Sequence, residues 1–138
     1  MATKPNNAVQ ATKYTHTSRA NFLDWKRDLD ALLSIHPDKL LYVVRDRLLA
    51  PTIKQRLMSQ HSKTTGDKWD KETEKAFVVE FNNTAYHILL PTIGDDTFRR
   101  EMERKHGQKQ NANAIYTAIC AEWSIDDTTS DERIVAKV

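Results

Sequence analysis

The chain has 138 residues, 39% of them hydrophobic and 29% charged, enough for one domain with its own core. No apolar run approaches 18 residues, which speaks against a spanning helix. The few turn residues (three glycines, four prolines) speak against a turn-rich β fold, and the single cysteine excludes an internal disulfide framework. The net charge of +2 is unevenly placed. Residues 1–63 hold 11 basic and 5 acidic side chains, a net of +6; residues 64–138 hold 10 and 14, a net of −4. A chain polarised in this way can meet a polyanion at one end or stack head to tail with copies of itself.

Residues 1–18 are small, polar and without period, and read as a flexible arm with no secretory h-region. The first helix is expected from Asn21, its N-cap, to near His36, before Pro37. Phe22, Trp25, Leu29, Leu32 and Leu33 form its apolar stripe, and the chain is expected to organise around it. A second helix should open at Pro37 with Leu40, Leu41, Val44 and Leu48 as its apolar stripe, widened by Val43 and Leu49. After Pro51 a short third helix carries Ile53, Leu57 and Met58. The polar run 59–68 then reads as an exposed loop.

From Trp69 to about Leu90 the helical period returns, with Ala76, Phe77, Phe81, Ala85, Ile88 and Leu89 as its buried stripe. Asp95 and Asp96 cap the next helix, which carries Phe98 and Met102 to His106 and ends at Gly107. Glu101 and Lys105 make an i,i+4 pair along it. A last helix from about Asn113 presents Ile115, Ala118, Ile119 and Trp123. Beyond it, 125–138 reads as an acidic linker and the start of a further helix, Thr129 and Glu132 forming its capping box. The expected fold is all-α: a compact bundle of five to six helices over 19–124, with a disordered N-terminal arm.

No cluster carries recognisable chemistry. The five histidines are scattered, none pairs with another at i,i+3 or i,i+4, and one cysteine completes no zinc spacing. Asp95-Asp96 reads as a helix cap and Asp126-Asp127 as part of the acidic linker, not as carboxylates converging across a cleft. Cys120 reads as a small core filler. Neither an enzyme, a cofactor nor a metal is therefore expected, and the reducing context of a lone cysteine fits the cytoplasm. The basic stretch Arg45, Arg47, Lys54, Arg56 and Lys63 is the surface that charge singles out for phosphate contacts. A solvated helix face explains the same residues without a partner.

The pattern Phe22-x-x-Trp25-Lys26 with Leu32-Leu33, then Trp69 opening a helix, Ile88-Leu89, and Ala114-Ile115 through Trp123 resembles the capsid region of copia-type retrotransposon Gag polyproteins. Phe22, Trp25, Leu29, Trp69, Phe77 and Trp123 are the fold signature of that likeness. It departs from the family in the basic stretch Thr52–Lys63 and in the longer, more charged segment Arg99–Asn111. The resemblance implies an N-terminal capsid domain that self-assembles into virus-like particles around RNA, through many weak contacts rather than turnover. Its partners would be further copies of itself, with Glu72, Glu74 and Asp95 as acidic counterparts of a neighbour's basic region, and RNA, with no membrane. A host-co-opted helical adaptor and a stand-alone RNA-binding helical domain are the alternatives.

Overall fold

The computed structural model describes residues 12–123. The capping box at Thr129 and Glu132, the Asp126-Asp127 pair, the linker 125–138 and most of the arm lie outside them. Among the described residues there are six α-helices and no β-strand.

Helix α1 spans Arg19–Ile35. Its cap is Ser18, in extended backbone, whose side-chain oxygen accepts from the Asn21 N–H at 3.0 Å. Asn21 itself faces backward instead of capping: its Oδ1 accepts from Thr15 N at 2.8 Å and its Nδ2 donates to Lys13 O at 2.9 Å. Phe22, Trp25, Leu29 and Leu33 are buried as the spacing predicts.

Helix α2, Leu41–Asp46, is shorter than expected. Lys39 takes a left-handed turn (φ 50°) after Pro37, delaying the helix, and Arg47 (φ 59°) ends it. Past Arg47 the helical phase is lost, so Leu49 enters the core and Leu48 is left 56% exposed. Helix α3, Pro51–Thr65, is longer than expected, occupying most of the stretch read as a loop. Ser59–Thr65 contains no helix breaker, and its lack of apolar side chains reflects a solvent-facing end rather than irregular backbone. Gly66, at φ 76°, stops it where a side chain would be strained.

Helix α4 spans Lys71–Leu89, capped by Asp70, which accepts from Thr73 N at 2.8 Å. Val78, Phe81, Asn82, Ala85, Tyr86 and Leu89 are its buried face. Ala76, expected in the stripe, is exposed, because the face is set by 78, 82 and 86 as well as 81, 85 and 89. After a 3₁₀ turn over Leu90–Thr92, α5 (Asp96–His106) begins at Asp95, whose carboxylate accepts from Phe98 N at 2.9 Å. The Glu101–Lys105 pair forms at 3.0 Å. Helix α6, Ala112–Glu122, is capped by Asn111 and buries Ala112, Ile115, Tyr116 and Ile119, leaving Ala118 exposed.

Helix α6 packs against α2, α4 and α5, a more central place than its sequence position implies. It meets α1 through Trp25–Tyr116 (ring centroids 6.2 Å apart) and, just past its end, through Trp123 stacked on Phe22 (5.9 Å, 18°). Three asparagines tie α2, α4 and α6 together. Asn82 Nδ2 donates to Asn111 Oδ1 (2.9 Å), Asn113 N donates to Asn82 Oδ1 (2.9 Å), and Asn113 Nδ2 donates to Val44 O (2.6 Å).

The described end of the arm, residues 12–18, is not free, contrary to the sequence expectation. Tyr14 is fully buried and pairs in parallel with Ile93, donating its N–H to Thr92 O at 2.7 Å and accepting from Gly94 N at 2.7 Å. Its ring lies among Trp25, Phe98 and His16. Aromatic burial explains the docking; a single Tyr in a polar run carries no period by which to foresee it.

Candidate nucleic-acid and self-association surfaces

The basic stretch predicted for phosphate contact is divided by the fold. Arg45 pairs with Asp46 at 3.2 Å, Arg56 with Asp38 at 2.9 Å, and Lys54 with Glu74 at 3.2 Å. Each pair contributes little stability at the surface, but each cancels the local positive potential on which a polyanion would draw. Lys63 is exposed in the last turn of α3. Arg47, in left-handed backbone at the C-cap of α2, stands apart from these pairs.

The acidic residues proposed for self-association are similarly sorted. Glu74 is engaged within the chain, accepting from Trp69 Nε1 at 3.1 Å as well as pairing with Lys54. The indole N–H, then the Lys54 ammonium, hold its carboxyl below the usual glutamate range against a desolvation that pushes the other way. Asp95 is occupied as the α5 cap. Glu72 is exposed on the first turn of α4.

The signature aromatics fall into two clusters. Phe22 and Trp25, with the signature residue Leu29, lie in the core, and Trp123 is half-buried against Phe22. Trp69 stacks on Phe77 (5.6 Å, 10°) and receives the edge of His61 (5.8 Å, 88°), closing the far end of α3 onto the start of α4. Cys120 is half-buried, and burial pushes its thiol up to about 11, which suits a packing role. Among the described residues no group of three or more His, Cys, Asp or Glu could hold a metal ion. No helix among them is long and apolar enough to cross a membrane.

Two adjoining surface grooves, missed in the sequence, share Arg47 as their common wall. One, of about 490 Å³, is lined by Arg47, Lys71, Glu74, Lys75 and Val78. The other, of about 450 Å³, is lined by Arg47, Val79 and Asn83 with Gln108, Lys109 and Gln110 of the α5–α6 connection. With its amide oriented to donate, Asn83 reaches the carbonyls of Lys109 (2.9 Å) and Gln110 (3.2 Å) and ties that connection to α4. No sequence stretch announced these grooves, because their cations come from three separate places in the chain.

Large apolar side chains remain at the surface on five separate stretches: Leu23 and Ile35 on α1, Tyr42 on α2, Leu48 after it, Met58 on α3 and Val79 on α4. Ile35, at 73% exposed, is the most open of them.

No family model matches the chain, and neither a curated protein nor a solved structure matches it.

Proposed function

We propose that this chain is a capsid-type structural domain, related to copia-type retrotransposon Gag, that assembles with copies of itself around RNA in the cytoplasm. The observation that carries the reading is the packing of the six signature residues. Phe22, Trp25 and Leu29 are buried in the core with Trp123 stacked on Phe22, and Trp69 and Phe77 join α3 to α4.

Assembly is the mechanism, and turnover has no part in it. Exposed Leu and Ile side chains on separate elements suit many small contacts, each weak, that add up only in a closed array. With Glu74 and Asp95 engaged within the chain, apolar contacts rather than complementary charge carry the association, and Glu72 remains as a rim contributor. The domain alone is therefore monomeric or weakly associated at micromolar concentration, and assembles when concentrated. Sedimentation velocity across a concentration series, followed by electron microscopy of the concentrated protein, tests this. Regular particles or sheets, weakened by Ile35→Ser or Leu48→Ser, are the expected result. A chain that stays monomeric at every concentration, or a tight dimer that closes on itself, would favour the adaptor reading.

A further inference from the structure

The two grooves that meet at Arg47 hold four cations: Arg47 at the end of α2, Lys71 and Lys75 on α4, and Lys109 in the α5–α6 connection. Among the described residues none of the four has an ion-pair partner, whereas Arg45, Lys54 and Arg56 each do. Glu74, the one carboxylate among the described lining residues, is engaged by Lys54 and Trp69. From Lys71 to Asn83 the path follows α4 for twelve residues, about 18 Å at the α-helical rise. The cations of the two grooves are therefore spread along an elongated path, a trough, and do not form a cup for one compact anion. Its second half adds the exposed carboxamide of Gln108 beside Gln110, groups that both donate and accept hydrogen bonds.

The geometry points to this trough as a binding path for single-stranded RNA, held by phosphate contacts to Arg47, Lys71, Lys75 and Lys109. The inference deepens the capsid reading and rests on it for the origin of the RNA. A folded helical peptide would need an apolar groove and an extended one a free sheet edge. The apolar lining here is limited to Val78 and Val79, and the described residues contain no strand. Phosphates need neither. Among the described residues no aromatic side chain lines the trough, so the binding is expected without stacking: sequence-tolerant, weak and steep in salt.

The test is fluorescence anisotropy of a labelled single-stranded oligouridine against the full chain, over a salt series and at concentrations where sedimentation shows monomer. Four phosphate contacts at about 0.7 each give a slope of log affinity against log salt near −3, or about a fifty-fold loss between 50 and 200 mM. Replacing Arg47, Lys71, Lys75 and Lys109 together by Gln should bring the slope close to zero. A control of equal net charge, with Arg56, Lys63, Arg100 and Arg104 replaced by Gln, should keep it. No binding by the unaltered chain at low salt, equal flattening by the control, or equal displacement by a polyglutamate peptide would each overturn the inference. Ultraviolet crosslinking of the unaltered chain decides the matter even if the variant does not fold. Crosslinks within 71–83 and 108–111 support the path, and crosslinks confined elsewhere overturn it. Oligouridine binding by a chain that never assembles would sink the capsid reading and leave the path standing; particles without binding would do the reverse.

Discussion

Trp25 Nε1 donates a 2.8 Å hydrogen bond to Thr92 Oγ1, and Thr92 in turn donates to Leu89 O at 2.6 Å. The largest side chain of the core thereby has its one polar atom satisfied by the turn that ends α4. Thr92→Val keeps the shape and removes the acceptor, so the buried indole N–H loses its partner at a cost of about 1–3 kcal/mol. Trp25→Ala, which empties the site, should cost about 3–5 kcal/mol, close to the whole stability of a small domain. Urea unfolding of both variants measures this. A Thr92→Val protein as stable as the parent would mean that the hydroxyl has no role in holding the indole.

Tyr14 leads to the second prediction. Its ring touches Trp25 and Phe98, its backbone is hydrogen-bonded to Thr92 and Gly94, and its hydroxyl accepts from Trp123 Nε1 at 2.8 Å. Tyr14→Ala should therefore destabilise by about 3–5 kcal/mol, the range for a buried aromatic. Tyr14→Phe should cost about 0.5–1.5 kcal/mol, the net worth of one hydrogen bond. Thermal melts followed by far-ultraviolet circular dichroism separate the two. If Tyr14→Ala proved neutral, the segment before Ser18 would be an ornament of the fold.

A third prediction concerns the tryptophans. Trp25 is fully buried, whereas Trp69 and Trp123 are half-buried. Acrylamide should quench the fluorescence in two classes, one inaccessible and one partly accessible, and Trp25→Phe should remove the inaccessible class. Uniform quenching of all three would contradict the packing.

These cases mark how much was legible in the sequence. The α1 stripe was, because five apolar residues repeat at helical spacing over a full helix with a proline just beyond. Tyr14 and Thr92 were not: each acts through one long-range contact that has no local period. The ends of α2 and α3 differ from their expected places for a related reason. Left-handed Lys39 and Arg47 carry no glycine to announce them, and the solvent-facing end of α3 has no apolar residue to reveal its helicity. At the surface, charge density along the chain pointed to Arg45–Lys63, but pairing with Asp38 and Glu74 is a property of the folded packing. The trough at Arg47 was hidden because α2, α4 and the α5–α6 connection meet only in three dimensions.

Asn82 offers a fourth test, of the amide network that joins α2, α4 and α6. Its oxygen accepts from Asn113 N and its nitrogen donates to Asn111, which caps α6. Asn82→Ala leaves the Asn113 N–H without its acceptor and loosens the cap, so a loss of about 1–3 kcal/mol is expected. Amide hydrogen exchange should show the loss first at the start of α6, ahead of α1. Faster exchange spread evenly over the chain would mean that the network has no local role.

The last prediction follows from Glu74, whose carboxyl lies below the usual glutamate range because Trp69 Nε1 donates to it and Lys54 pairs with it. A folded-state pKa that is lowered stabilises the protein above the unfolded-state pKa. That contribution is lost as pH falls through the folded-state value. Glu74→Gln keeps an oxygen for the indole and removes only the charge, so at neutral pH it should cost about 0.5–1 kcal/mol, the scale of a surface pair. The gap between parent and variant should narrow as the solution is acidified and close once Glu74 is protonated in both states. Added salt should shrink it at neutral pH, since part of the effect is the screened attraction of Lys54. Urea titrations of parent and Glu74→Gln across the acid range supply the measurement. A gap that widens toward low pH would reverse the sign, and would mean that the Glu74 carboxylate is tolerated in the fold rather than favoured by it.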